Sequence, residues 1–204
     1  MVKYELLYFP IKGRAESIRL AFALGGIPFV DTRINRENWP GMKSNFDFGT
    51  LPVLRIDGVE YSQSIALLNY VGRLSGLYPA DPLLALKGDE IIHALLESSY
   101  LVSHSIHEQD QEKKMEMRKV LRESTLPRLL GGVNKLIAEN HKKFSISDSL
   151  TVADLQVLSS YTQLTTGLLD GVPVSIVEGF PEYCRVAKAV LQHEGVKKYY
   201  ETHK

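Results

Sequence analysis

Gly49-Thr50-Leu51-Pro52-Val53-Leu54-Arg55-Ile56-Asp57-Gly58-Val59-Glu60-Tyr61-Ser62-Gln63-Ser64 reads as strand, tight turn, strand and helix start, with no spare residues between them. Asp57-Gly58 stands between two apolar runs, and a type I′ hairpin turn needs positive φ at both central positions, which Asp and Gly accept most readily. The pattern predicts strands over 53–56 and 59–61. Pro52 cannot donate to a strand ladder, so it belongs at a strand start or an edge, and the Leu51-Pro52 bond is a candidate for the cis form. In either form the backbone of Leu51 is left to pair with something else. Ser62 and Ser64 offer hydroxyl caps to a helix whose apolar positions Ile65, Leu68 and Val71 recur at helical spacing. Such a start, with two serines and Gln63, suits an anion; taken alone, it also reads as an ordinary capped helix.

Upstream, residues 3–9 alternate, with Tyr4, Leu6 and Tyr8 on one face and Glu5, Leu7 and Phe9 on the other, and Pro10 stops the strand they predict. Gly13 opens a helix through Arg14, Ile18, Leu20, Ala21 and Leu24, which Gly25-Gly26 closes. A strand over 29–34 follows. Strand, helix and strand in so short a span imply a right-handed crossover and a parallel pair, to which the hairpin adds antiparallel strands. That is an α/β domain of the thioredoxin type, in the order βαβ-α-ββα, with an irregular segment expected at Trp39-Pro40-Gly41-Met42-Lys43.

The helix after Ser64 ends past Leu74, and Gly76-Leu77-Tyr78-Pro79-Ala80-Asp81-Pro82 carries the breakers of a linker. The expected division is a domain over 1–76, a linker over 77–82 and an all-helical bundle domain over 83–204. Ile91, Ile92, Leu95, Leu96 and Val102 form the buried stripe of one long helix. A second helix is expected over 111–140, kinked at Pro127. At Leu150-Thr151-Val152-Ala153-Asp154-Leu155, Thr151 caps, Asp154 reaches back from the third position and Leu150 staples onto Leu155. Pro181 opens a further helix, and 197–204 reads as a short polar tail.

The 204 residues are 44% hydrophobic and 24% charged, with 24 acidic and 24 basic side chains, so there is no basic field to draw in nucleic acid or anionic lipid. Nucleic acid and membrane are not expected partners. Cys184 is the single cysteine, which rules out an internal disulfide and a cysteine-based metal site and fits a reducing compartment. The sequence opens on a strand pattern without a leader-like apolar run, so a cytoplasmic location is expected.

Tyr8 is placed at the carboxyl end of the first strand, the usual ligand address in an open α/β sheet, yet the strand by itself favours reading it as a core aromatic. The stretch Tyr8-Phe9-Pro10-Ile11-Lys12-Gly13-Arg14-Ala15-Glu16-Ser17-Ile18-Arg19, with Leu51-Pro52, Gln63-Ser64, Trp39-Pro40 and Lys43, settles the choice. Together they resemble the tyrosine-type cytosolic glutathione S-transferases, closest to the sigma class and its invertebrate relatives. The likeness runs nearly the full length and is strongest over 4–75 and at the Thr151–Asp154 box. It implies a thioredoxin-like glutathione-binding domain, a homodimer, and transfer of the glutathione thiolate to hydrophobic electrophiles.

By the same resemblance Tyr8 holds the thiolate and Arg14 supports it. Trp39 and Lys43 face the glycyl end, Leu51 before cis-Pro52 pairs with the cysteinyl backbone, and Gln63 with Ser64 holds the γ-glutamyl carboxylate. An acidic residue on the partner's long helix neutralises the ammonium, and Glu97 occupies that place here. Phe9, Ile11, Tyr100, His104 and Gln156 are the candidates for the second-substrate pocket.

Thr50 stands where sigma-class chains commonly have a lysine, which removes one charge from the glycyl side. The prostaglandin D synthase branch carries a carboxylate cluster for a divalent ion. The corresponding positions here are His93, Leu96, Glu97 and His104, too few oxygens for a hard cation. His104 and His107 beside Glu108 lack the remaining ligand of a zinc site, so no metal is expected. Rival readings are a glutathione-dependent isomerase or peroxidase of the prostaglandin D synthase kind, and a non-catalytic crystallin-like structural or binding protein.

Overall fold

The N-terminal alternation forms strand β1, Tyr4–Tyr8, with Leu6 and Leu7 sealed in the core. A single 3-10 turn, Gly13–Ala15, leads into α1, Glu16–Leu24, so the helix begins later than Gly13. β2 (Val30–Arg33) pairs parallel with β1. The segment expected to be irregular forms a short helix, α2 (Trp39–Met42), and a 3-10 turn, Lys43–Asn45. Pro40 accounts for this, since it is preset for a first helical turn and its missing N–H would be unpaired there. β3 (Val53–Ile56) and β4 (Val59–Ser62) form the hairpin, with φ of 49° at Asp57 and 90° at Gly58. α3 (Ser64–Leu74) follows. Sheet order is β2-β1-β3-β4, with β3 antiparallel to both of its neighbours.

The computed structural model describes residues 2–203, which fall into two units. One runs through Tyr78 and takes in the residues from Lys198 onward; the other is Pro79–Lys197. The second unit is helical. α4 (Pro82–His107) is capped by Asp81, whose carboxylate accepts the Leu84 N–H at 2.7 Å, and it buries Ile91, Ile92, Leu95 and Val102. The single helix expected over 111–140 is divided into α5 (Gln111–Val120), a π turn over Leu121–Thr125, and α6 (Leu126–Asn140). Pro127 supplies the reason: it has no N–H for the carbonyl of Glu123, and the chain widens one turn earlier so that the Leu126 N–H reaches Leu121.

α7 (Val152–Thr165) is the centre of this unit. Residues 152–158 are all buried, and the helix packs on both α4 and α8 (Pro181–Gln192). A helix start buried on every side has no solvent face to orient it, so it must be fixed by polar contacts. The wholly buried Asp154 carboxylate does this. It accepts the N–H of Thr151 at 2.8 Å, the Thr151 hydroxyl at 2.9 Å and the Ser145 N–H at 2.7 Å. The expected polar tail is helical: α9 (Glu194–Thr202) buries Val196 and Tyr199.

Asp154→Ala leaves three donors without their acceptor in a site closed to water. It is expected to cost about 3 kcal/mol of folding stability, seen as a lower urea midpoint at unchanged slope. A loss under about 1 kcal/mol would show that the box does not anchor α7.

Candidate functional site

Strand register gathers the segments of the site. Leu7 stands opposite Val53, and Val53 opposite Ser62. The chain therefore leaves β1 at Tyr8, enters β3 through Leu51-Pro52 and leaves β4 toward Gln63 at one end of the sheet, with Asp57-Gly58 at the other. β2 runs parallel to β1, with Arg33 beside Tyr8, and delivers Trp39 and Lys43 from that same end. Ten of the expected positions thus come from segments that meet there: Tyr8, Phe9, Ile11, Arg14, Trp39, Lys43, Leu51, Pro52, Gln63 and Ser64. This is the carboxyl end of the parallel pair, where open α/β sheets place ligands.

The Tyr8 side chain is mostly covered, and its hydroxyl oxygen accepts the Arg14 backbone N–H at 3.2 Å. Gly13 makes that approach possible. It takes φ of +44°, and a Cβ on it would lie 2.6 Å from the Tyr8 oxygen, so any other residue would push the ring or the turn aside. With one lone pair held by Arg14, the hydroxyl still has a proton to give.

Phe9 lies against Tyr8, with ring centroids 5.5 Å apart, and Trp39 meets Phe9 edge-on at 5.8 Å. Phe46 continues the run 5.5 Å from Trp39, and the Arg36 guanidinium is 5.6 Å from the Phe9 ring. Phe9 is thus engaged with Trp39. Lys43 is exposed, and its stem lies close to Gly49, where a Cβ would be 3.2 Å from Cε. The Leu51-Pro52 bond is cis.

The serines do not cap α3. Ser62 is used as a strand residue opposite Val53, Ser64 is already helical, and the N-cap position is Gln63, whose side chain makes no cap bond. Gln is one carbon longer than the side chains that cap well. The first turn of α3 thus begins with no side-chain acceptor, and buried Ser64 stands at its start. Gln63 has φ 75° and ψ 102°, a backbone conformation that side chains with a Cβ rarely adopt.

The remaining expected residues lie in the helical unit. Glu97, Tyr100 and His104 share one exposed stripe of α4, and Gln156 is buried on α7. Glu97 already has a partner within its own chain, Arg128 on α6, at 2.6 Å. Both are half-exposed, so the pair is worth at most about 1 kcal/mol and is exchangeable. Glu108 is taken by Lys113 at 2.8 Å, whose hydrogen bond holds the carboxyl down at about 2, and His107 Nδ1 contacts the Ser103 carbonyl. Among the described residues no three His, Cys, Asp or Glu side chains gather as a metal site. An open hollow of about 660 Å³ beside Lys113, Lys119, Arg122 and Gly171 contains none of the expected residues. Burial pushes the Cys184 thiol up, away from reactivity.

Sequence reasoning missed Arg19, Phe46 and Arg36. Arg19 left a trace: Glu16 and Arg19, three apart, are the charged residues in a stretch where 15–22 are all buried. Phe46 and Arg36 carry no spacing signal.

Residues 98–203 match the family model for the glutathione S-transferase C-terminal domain. Glutathione S-transferase 1 of Ascaris suum is 34% identical over 181 residues, 84% of this chain and 86% of that one. The solved structure of prostaglandin synthase D of Nilaparvata lugens superposes with a TM-score of 0.89 at 27% identity, over 99% of this chain and 98% of that one. A glutathione S-transferase of Necator americanus, described as monomeric, superposes at 0.79 with 28% identity, over 99% and 98% of the two chains.

The backbone at Gln63 stores about 1–3 kcal/mol against the fold. Gln63→Gly is expected to hold stability or raise it by up to about 1 kcal/mol, because glycine accepts that conformation, whereas Gln63→Ala gives no gain. Urea denaturation of the two variants checks this; equal stabilities would mean that the position is unstrained.

Proposed function

The chain belongs to the glutathione S-transferase family, and from that premise we propose that Tyr8 holds bound glutathione as its thiolate for attack on a mostly apolar electrophile. The observation that carries the reading is the Tyr8 hydroxyl, oriented by the Arg14 N–H through a turn that only Gly13 permits. A thiol of pKa near 8.5 is mostly protonated at neutrality, and only the thiolate attacks. Lowering that value by about two units takes about 2.7 kcal/mol. One hydrogen bond to an ion supplies about 1.5–3 kcal/mol, so Tyr8 with support from Arg14 is sufficient. Conjugation then needs only anion stabilisation and proximity; the hydroxyl never has to carry a charge.

Glutathione brings two carboxylates and an ammonium. The uncapped start of α3 with Gln63 and Ser64 suits the γ-glutamyl carboxylate. Exposed Lys43 beside half-buried Trp39 suits the glycyl end, and the Leu51 backbone before cis-Pro52 suits the cysteinyl unit. We assign Glu97 of the partner subunit to the ammonium, which requires a homodimer and release of Arg128. Phe9, Ile11, Tyr100, His104 and Gln156 are the candidates assigned to the electrophile. The division into 1–76, 77–82 and 83–204, the sigma class, the cytoplasmic location and a reaction without metal belong to the same reading.

A glutathione-dependent isomerase of the prostaglandin D synthase kind is a second reading, favoured by the likeness to the Nilaparvata lugens structure. It uses the same thiolate on a different second substrate. Turnover of a generic aryl halide by protein retained on immobilised glutathione supports conjugation. Turnover of a prostaglandin endoperoxide alone supports the isomerase, and retention without turnover a binding protein.

Tyr8→Phe is expected to raise the pKa of bound glutathione by about two units and to lower kcat at pH 6.5 by about a hundred-fold, with KM for glutathione within about three-fold. Thiolate absorbance against pH, beside steady-state kinetics, reads all three. An unchanged thiol pKa would remove Tyr8 from the chemistry.

A further inference from the structure

The loop that orients Tyr8 rests on a buried ion cluster. Arg19 has no exposed surface. Its Nη1 donates to the carbonyl of Ile11 at 3.0 Å, the carbonyl of Lys12 at 3.2 Å and the Glu16 carboxylate at 3.1 Å, and its Nε donates to Asp31 at 3.1 Å. Asp31 also accepts from Arg33 Nε at 2.8 Å, and Arg33 reaches the Ile11 carbonyl at 3.4 Å. The Arg19 guanidinium lies 5.7 Å from the centre of the Tyr8 ring, within cation–π range. The Lys12 ammonium is 4.3 Å from the centre of the Tyr200 ring, at the end of α9.

These contacts bracket the turn that matters. Ile11 and Lys12 immediately precede Gly13 and Arg14, whose N–H fixes the Tyr8 oxygen. The cluster pairs two guanidiniums with two carboxylates, so its summed charge at the Tyr8 hydroxyl largely cancels and its influence on the site is geometric. A residue bonding only one carbonyl would leave the turn free to rotate. Arg19 holds two successive carbonyls and the Glu16 carboxylate at Nη1 and Asp31 at Nε, with Nη2 left buried and unpartnered, a two-point grip that a lysine ammonium, a single point charge, cannot match.

We propose that Arg19 is a positioning residue of the thiolate site, locking the Ile11–Lys12 backbone so that the Gly13-Arg14 turn aims the Tyr8 hydroxyl at sulfur, with Asp31 of β2 holding the Arg19 guanidinium in place. The inference rests on the thiolate reading of Tyr8 and adds what holds Tyr8 in place. Misplacement by a fraction of an ångström weakens the bond to an anion while leaving the carboxylate and backbone contacts of the peptide intact.

The test compares Arg19→Lys, Asp31→Glu, Tyr8→Phe and the Tyr8→Phe/Arg19→Lys double variant in the full chain with glutathione. The readouts are thiolate absorbance against pH, kcat and KM, and the thermal midpoint. Arg19→Lys is expected to raise the bound thiol pKa by about one unit and lower kcat at pH 6.5 about ten-fold with KM for glutathione within about three-fold. Asp31→Glu, which keeps the charge but displaces the carboxylate from Arg19 Nε, is expected to do the same to a smaller, measurable extent. Because Arg19 acts through Tyr8, the double variant should show the thiol pKa of Tyr8→Phe with no further rise. A lower thermal midpoint with an unshifted thiol pKa in Arg19→Lys overturns the proposal and leaves Arg19 structural. If Arg19→Lys does not fold, an unshifted pKa in Asp31→Glu overturns it. An unshifted pKa in Tyr8→Phe overturns the thiolate reading itself, and a shifted Tyr8→Phe beside an unshifted Arg19→Lys overturns this inference alone.

Discussion

The pairing of Leu7 with Val53 and of Val53 with Ser62 is the constraint from which the site follows. Three strands are brought level at one end, and every segment that carries a functional candidate in the first unit enters or leaves there. Leu6, Leu7, Val53 and Leu54 are buried, so a slip by one residue would turn sealed side chains toward the opposite face. Polar pairs on neighbouring positions reinforce the same register. Glu5 on β1 accepts the Thr32 hydroxyl from β2 at 2.6 Å and pairs with Arg55 from β3 at 3.1 Å, while Arg55 also holds Glu60 of β4 at 2.7 Å. One alignment therefore satisfies all four strands, and the site inherits its geometry from the core.

Much of the fold was legible because its determinants are local. Asp57-Gly58 fixes a hairpin by φ alone, the alternation of β1 fixes a face, and the Thr151–Asp154 spacing fixes a helix start. Where the reading failed, the determinant was a neighbour in space or a competing local preference. Trp39–Met42 looked irregular since Pro and Gly suggest breaks, yet Pro in a first turn favours a helix. The π turn before Pro127 depends on how a packed helix absorbs a missing donor, and nothing in the composition distinguishes a bend from a widened turn. The helical end of the chain was hidden because Lys197, Lys198 and Glu201 make it look solvated, while Val196 and Tyr199 bury the opposite side.

The candidate site was legible in a different way. Tyr8, Gln63 and Ser64 were found through a pattern of residue types, and the sheet brings their segments to one end. The conformation of Gln63 was invisible: its strained φ is a property of the connection between β4 and α3, and serine capping, the obvious local reading, is excluded by Ser62 pairing as a strand. Arg19 was hidden for the opposite reason. A charged residue inside an apolar helix reads as solvent-facing, and only the carbonyls of Ile11 and Lys12 with Asp31 from β2 reveal that it faces inward.

Stabilising a thiolate with a neutral hydroxyl places most of the burden on geometry. A lysine beside the sulfur would act through Coulomb attraction, which falls slowly with distance and tolerates misplacement. A hydrogen bond does not: its strength drops steeply with angle and within a few tenths of an ångström. An enzyme that relies on Tyr8 must therefore hold the β1–α1 loop firmly, and burying charge is a costly way to hold anything unless every partner is in place. Here Glu16, Asp31 and two backbone carbonyls take Nη1 and Nε of one guanidinium while its buried Nη2 has no partner, and removing any of the four would strand a further charge or donor in the interior, at a cost of about 3–5 kcal/mol for a broken buried pair. That penalty resists the small excursions that would misdirect Tyr8. On this view the ion cluster is stiffness supplied to a hydroxyl, and the same stiffness explains why Gly13, with no side chain to accommodate, is the residue that the turn requires.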